Sequence, residues 1–227
     1  MAIDPVANLA AVQSAMAEAC RRFGVVRDLP QVVAVSKVHG AERIVPLLAA
    51  GHRHFGENRV QEAQAKWPDL KARHPGTVLH LLGPLQTNKV SAALDLFDVI
   101  ETLDREKLAR KLAEALKTRT TAPRLFVQVN TGEEAQKSGV LPGDLAAFLD
   151  LCRDTLGLPI CGLMCIPPMG EDPALHFGLL KTLADRHGVN ALSMGMSGDY
   201  PLAAAMGADF VRVGTAIFGP RDQGAAP

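Results

Sequence analysis

Residues 192–219 read LSMGMSGDYPLAAAMGADFVRVGTAIFG. The stretch holds a short apolar run, "LSMGM" from Leu192, then a loop of small residues. An alanine-rich segment follows, starting a helix near Asp199-Tyr200-Pro201, and a second apolar run, "FVRVG", begins at Phe210. Strand, helix and strand in this order form a βαβ unit, whose right-handed crossover makes the two strands parallel.

The same cadence runs backward through the chain. Apolar runs return as "VVAVS" from Val32, "RHFGEN" from Arg53, "VLHLLG" from Val78, "FDVIET" from Phe97, "RLFVQVN" from Arg124 and "ICGLMC" from Ile160. Between them lie segments of helical periodicity such as "AERIVPLLAAG", "DREKLARKLAEALKT" and "PGDLAAFLDLCRDTLG". Asp104 is the expected N-cap of the second of these, with Leu103 before it, and Gly51 and Gly157 are expected to close helices. Eight strands with no blunted edge fit a closed (β/α)₈ barrel of the TIM type better than an open doubly wound sheet. No full eighth helix follows the last strand, so an amphipathic amino-terminal helix, about Asn8 to Phe23, is expected to cover that flank. No linker rich in Pro, Gly or Ser divides the chain, which predicts one α/β domain over residues 1–227, with a disordered tail at about 221–227.

Of the 227 residues, 48% are hydrophobic and 21% charged, enough for a sizeable core. Acids and bases balance at 24 each, so the broad field of a nucleic-acid binder or polybasic membrane segment is missing. The first residues lack a charged leader followed by an apolar core, and no apolar run approaches a membrane span, which predicts a cytoplasmic protein. Cys20, Cys152, Cys161 and Cys165 fall within helix-like or strand-like segments and read as small buried hydrophobes.

A barrel of this kind places function at the carboxyl ends of its strands. The expected strand ends are Lys37, Glu57-Asn58, His80 to Gly83, Met164-Cys165, Met196-Ser197-Gly198 and Arg212 to Thr215. The loops after strands seven and eight, "GMSGDYP" and "RVGTAIFG", carry small residues and the hydroxyls of Ser197 and Thr215. They are the expected seat of a phosphate, with the helix start near Asp199 pointing its positive end at the same anion. Arg212 either faces the ligand or forms a structural ion pair.

Lys37 has two readings as well. It either snorkels, its stem on the core and its ammonium in water, or it stands partly desolvated beside Arg212 with a lowered pKa. A neutral amine at a barrel mouth can attack an aldehyde. A phosphate clamp plus such a lysine suits pyridoxal phosphate, and equally a Schiff-base aldolase acting on a sugar phosphate.

Other features carry less. His52 and His54 have the i, i+2 spacing of a metal pair, without an obvious third ligand, so no metal is expected. "GENRVQEAQAK" reads as a solvated helix face. Lys89 and Lys137 read as surface lysines, either able to contact a partner or to hold cofactor in transit.

Taken together, "AVSKVHG", "HFGENRVQEAQAK", "HLLGPLQTNK", "GLMCIP" and "SMGMSGDYPLAAAMGADFVRVGTAIFG" resemble the pyridoxal phosphate homeostasis protein family, the proline synthase co-transcribed homologues. The resemblance runs from about Val32 to Gly219 and implies a barrel similar to the alanine racemase amino-terminal domain. It implies that Lys37 carries pyridoxal 5′-phosphate as an aldimine, that Ser197, Gly198, Gly214 and Thr215 hold its phosphate beside Met196, that Arg212 faces the pyridine nitrogen, and that Asn58 and His80 line the pocket. Leu81 and Pro84 stand where many relatives have an aromatic and a histidine.

The resemblance also implies a role in vitamin B6 homeostasis, with the cofactor buffered or delivered to pyridoxal-phosphate-dependent apoenzymes. The alternative is an amino-acid racemase or lyase of modest activity. An arginine opposite the ring nitrogen can only donate, which keeps that nitrogen unprotonated and weakens carbanion stabilisation, but it does not abolish racemisation, since alanine racemase resembles this arrangement. A racemase of the resembling type adds a tyrosine from a further domain across a dimer. Here the only tyrosine, Tyr200, sits beside the expected phosphate loop, so a carrier and a monomer are expected.

Overall fold

β1, Gln31–Val35, buries four consecutive residues after an exposed Gln31. Such a run arises where helices cover one face of a strand and interior side chains cover the other. The computed structural model describes residues 3–220 and repeats this pattern around a complete circle. The strands are β2 His54–Glu57, β3 Val78–Leu81, β4 Val99–Leu103, β5 Arg124–Val129, β6 Ile160–Cys165, β7 Ala191–Ser193 and β8 Phe210–Val213. All pair in parallel and in sequence order, and β1 closes the barrel on β8 through Gln31–Phe210 and Val33–Arg212. The closed barrel expected from the strand–helix cadence is the observed fold. The expected tail, about 221–227, lies outside the described residues.

Helices follow the strands: α1 Pro5–Arg22 before β1, α2 Ala41–Ala49, α3 Val60–Arg73, α4 Val90–Leu96, α5 Glu106–Leu116, α6 Leu145–Asp150, α7 Pro173–Arg186, α8 Tyr200–Ala205 and α9 Thr215–Phe218. α1 starts where Asp4 accepts the backbone N–H groups of Val6 and Ala7. It packs against α8 and the four-residue α9, and Asn8 Nδ2 donates to the Ile217 carbonyl at 2.8 Å. The amino-terminal helix therefore covers the flank that the short final helix leaves, as the sequence predicts.

Two cores result. The outer one lies between sheet and helices and includes Met16, Leu47, Phe55, Trp67, Phe177 and Phe218. The inner one fills the barrel with Val33, Val99, Phe126, Met164 and Phe210. Leu81 is fully buried in the outer core. Among the described residues all four cysteines are free, and no helix is long and apolar enough to cross a membrane.

Three local expectations need correcting. β7 stops at Ser193 rather than running to Met196, because Gly195 takes φ +91 and leaves extended geometry, although its carbonyl still accepts the Arg212 N–H at 2.9 Å. A Cβ at Gly195 would sit 2.4 Å from that of Ala203, so the loop passes α8 where only glycine fits. β4 starts at Val99 rather than Phe97; the Asp98 side chain accepts the Leu79 N–H and the Lys71 ammonium. Asp104 does not cap α5; the N-cap is Arg105, whose guanidinium pairs with Asp104 at 2.5 Å.

Candidate functional site

β1 ends at Val35, and the chain then turns sharply through Ser36, Lys37 and Val38. Val38 has φ +62, a left-handed conformation that is a true outlier for a β-branched residue. Surrounding groups hold it there. The Val38 N–H donates to Glu62 Oε1 at 2.6 Å, and Lys66 Nζ donates to the carbonyls of Ser36 and His39 at 3.0 and 2.9 Å. Those two carbonyls bracket Lys37 and Val38.

Lys66 is itself anchored. Its Nζ lies 2.8 Å from Oε1 of Glu57, the fully buried last residue of β2. The same oxygen accepts the Ser36 hydroxyl at 2.7 Å and the Trp67 indole N–H at 2.9 Å. The stretch expected to be a solvated helix face is thus partly a buried support. Lys66 keeps only 9% of its side chain exposed, because the carboxylate it neutralises sits inside the wall. Nothing in helical periodicity reveals a partner on another strand; the signal was Glu57 ending a buried run.

Lys37 opens onto a cleft of about 320 Å³ at the carboxyl end of the barrel, within the ordinary size of a small-molecule site. Of the sequence-derived residues, Lys37, Asn58, Met196, Ser197, Gly198, Arg212, Gly214 and Thr215 all line it. Val38, Leu82 and Ile166 add an apolar rim that sequence reasoning did not single out. Asn58 is held by close packing: a Cβ at Gly83 would lie 2.1 Å from its carbonyl oxygen, so glycine lets the loops after β2 and β3 touch.

His80 is not among the lining residues. It is fully buried in the barrel, with Nδ1 2.7 Å from Glu101 Oε1 and Nε2 3.1 Å from His54 Nδ1. Side chains repeat every second residue along a strand, so Leu82, two positions on, carries the same face up to the cleft. Strand alternation finds the face but not the layer.

The loops after β7 and β8 meet where Ser197 Oγ accepts the Gly214 N–H at 3.3 Å. Gly198 has no protein atom within 4 Å of the position a Cβ would take, which leaves room for a ligand against the backbone. Asp199 Oδ1 accepts the Met196 N–H at 2.6 Å and fixes the loop ahead of α8. Arg212 forms the floor. It is 5% exposed, donating from Nη1 to Ser193 Oγ at 2.6 Å and from Nη2 to the Cys165 carbonyl at 2.7 Å. Arg212 lines the cleft and stands 3.9 Å from the Glu101 carboxylate, so the ion pair of the second reading is present.

Burial pushes the Cys165 thiol up to about 12, so at the edge of this site it is a neutral packing group. His52 does not join His54 around an ion; its Nε2 donates to the His54 carbonyl at 2.8 Å. Lys137 pairs with Glu134 at 2.5 Å beside a neighbouring hollow that Pro84 also lines.

The cleft therefore offers an amine on a fixed turn, two loops of small and hydroxylic residues, and a buried guanidinium floor. That donor set fits an aldehyde-bearing phosphate ester with an aromatic nitrogen.

Comparison with known proteins agrees with the barrel. The family model described as "Alanine racemase, N-terminal domain" matches residues 7–222. The pyridoxal phosphate homeostasis protein of Vibrio cholerae is 37% identical over 225 residues, covering 95% of each chain. That of Pseudomonas aeruginosa is 39% identical over 228 residues, covering 96% of each. The structure of PipY from Synechococcus elongatus PCC7942 with pyridoxal phosphate bound superimposes with a TM-score of 0.75 at 38% identity, covering 90% of this chain and all of that one.

Proposed function

Since the chain belongs to the alanine racemase N-terminal domain family and, within it, to the pyridoxal phosphate homeostasis proteins, we propose that its cleft binds pyridoxal 5′-phosphate for vitamin B6 homeostasis. The observation that carries this reading is the convergence of Lys37, the Ser197–Gly198 and Gly214–Thr215 loops, and Arg212 on one cleft. When bound, pyridoxal phosphate supplies an aldehyde that condenses with primary amines and a ring that withdraws electrons.

The chain's own residues divide the work. Lys37 would supply the amine that holds the aldehyde, and its turn, fixed by Glu62 and Lys66, keeps that amine at the mouth. Ser197, Gly198, Gly214 and Thr215, which line the cleft, would hold the phosphate, and Met196 and Asn58 would flank the ring. Arg212 would face the ring nitrogen and, having no proton acceptor, could only donate to it. That would weaken the electron sink without abolishing turnover. Tyr200, half-buried at the start of α8, is not among the residues that line the cleft.

A cofactor held through Lys37 would suit buffering or delivery to pyridoxal-phosphate-dependent apoenzymes in the cytoplasm. Closure of the barrel within one chain supports reading it as a single-domain monomer.

The test is near-visible absorbance of the protein with added pyridoxal phosphate, for wild type and Lys37→Ala, followed by borohydride reduction and mass mapping. A band lost in the variant, with the adduct on Lys37, is expected. No band and no adduct on Lys37 would remove the cofactor from this cleft.

A further inference from the structure

A line of polar side chains crosses the barrel interior from the start of β2 to the floor of the cleft. His54 Nδ1 lies 3.1 Å from His80 Nε2, and His80 Nδ1 lies 2.7 Å from Glu101 Oε1. On the other side of the carboxylate, Ser193 Oγ is 2.6 Å from Glu101 Oε2, and Arg212 Nη1 reaches the same hydroxyl at 2.6 Å. His80, Glu101 and Ser193 are fully buried. Barrel interiors are ordinarily layered with branched apolar residues, so this line is not required by the fold.

Donors and acceptors settle its direction. Arg212 can only donate, so the Ser193 oxygen accepts from it and turns its own proton toward Glu101. Although burial opposes ionisation, the hydrogen bond and charge of His80, the charge of Arg212 and the Ser193 hydroxyl hold the Glu101 carboxyl below its ordinary range. An ionised carboxylate only accepts, so His80 Nδ1 carries a proton directed at it. Both halves of the line therefore converge on Glu101, the buried counter-charge to Arg212. The other charged or titratable groups around the line are His54 with His52, Asp98 and Arg124 nearby, Cys161, and Cys165, which senses Asp199.

We infer that Glu101, which does not line the cleft, is a positioning residue that acts through Ser193 to fix the orientation and balance the charge of Arg212 beneath the bound ligand. The inference rests on the proposed binding of pyridoxal phosphate. The ring nitrogen needs one N–H aimed at it, and a guanidinium free to rotate would present that donor only part of the time. With two of its nitrogens tied to Ser193 and the Cys165 carbonyl, the planar fork has one orientation. Glu101 in turn cancels a charge that would otherwise stand uncompensated below the cofactor.

The test uses the full chain titrated with pyridoxal phosphate and compares Glu101→Gln and Ser193→Ala with wild type. Glutamine retains a Ser193 acceptor and, with the other His80 tautomer, a donor, so it removes charge more than contacts. Losing a nearby negative charge disfavours a protonated, cationic Schiff base. The pH midpoint of the bound cofactor's absorbance is therefore expected to fall by about one unit in Glu101→Gln. Ser193→Ala keeps both charges but cuts the bridge, and affinity is expected to fall about tenfold, the scale of one hydrogen bond to a charged group. A purely structural role for Glu101 would leave the midpoint in place. If wild type binds while both variants keep its midpoint and affinity, the inference is overturned and the binding reading stands. If wild type neither shows the band nor retains the cofactor, both fall. Should Glu101→Gln fail to fold by circular dichroism, Ser193→Ala decides alone: a tenfold loss supports the inference and unchanged affinity overturns it.

Discussion

Lys66 Nζ stands 2.8 Å from Glu57 Oε1 inside the barrel wall, and from that position it also donates to the carbonyls on either side of the Lys37–Val38 pair. A buried ion pair adds little net stability against an apolar replacement, but removing one partner strands the other. Lys66→Met is therefore expected to destabilise the fold by about 3–5 kcal/mol, read as a lower urea midpoint at unchanged m-value. The double change Lys66→Met with Glu57→Gln is expected to recover much of that loss. Because the Ser36 and His39 carbonyls lose their donor in both variants, attachment of pyridoxal phosphate to Lys37 should be slowed in both. Stability that fails to recover in the double variant would deny that the stranded carboxylate is the cause.

Val38 carries strain that its neighbours maintain. A non-glycine residue held at positive φ costs about 1–3 kcal/mol, and Val38 at φ +62 is exposed enough that its side chain contributes little packing in return. Glycine removes the strain while adding about 0.5–1 kcal/mol of unfolded-chain entropy to be lost on folding. Val38→Gly is thus expected to stabilise the protein by about 1 kcal/mol, a rise of about 2–4 °C in melting temperature for a chain of this size. The stiffness beside Lys37 goes with the strain, so affinity for pyridoxal phosphate should drop while the melting temperature rises. A fall in melting temperature would show that Val38 is not strained in solution.

What could be read from the chain follows from how barrels bury their residues. Strands covered on both faces appear as unbroken apolar runs, which is why Val32–Val35 and Leu125–Val127 were legible without any partner in view. The mouth residues were legible for a related reason: in a barrel the end of a strand is a location, so Lys37, Asn58, Ser197 and Arg212 could be grouped though they lie far apart in sequence. Pairing across the barrel was not. Lys66 sits on a helix whose charges have ordinary surface spacing, and Glu57, nine positions earlier on β2, turns it inward together with the Ser36 and His39 carbonyls. Glu101 and Ser193 were passed over because a polar residue in a strand gives no sign of which interior layer it occupies or what faces it. His80 was placed one layer too high on the same account.

His54, at the far end of the interior line, gives the fold a pH dependence with a definite sign. Burial first, then the nearby His80, His52 and Arg124, lower its pKa from 6.5 to about 4. Unfolded, the imidazole takes a proton as the pH falls through 6.5; folded, it resists until about pH 4. Between those values the unfolded chain binds more protons, so stability must decline as the pH falls from 6.5 and the decline must level off below about 4. Above 6.5 both states are neutral at this site and its contribution no longer changes. Urea midpoints measured across pH 7 to 4 are expected to fall in wild type and to fall less steeply in His54→Gln, which cannot titrate there. Some slope will persist, because burial also lowers the pKa of His52. Parallel slopes in the two proteins would mean that His54 titrates normally in the folded state, and that the contact between His54 and His80 does not exclude a proton at the start of β2.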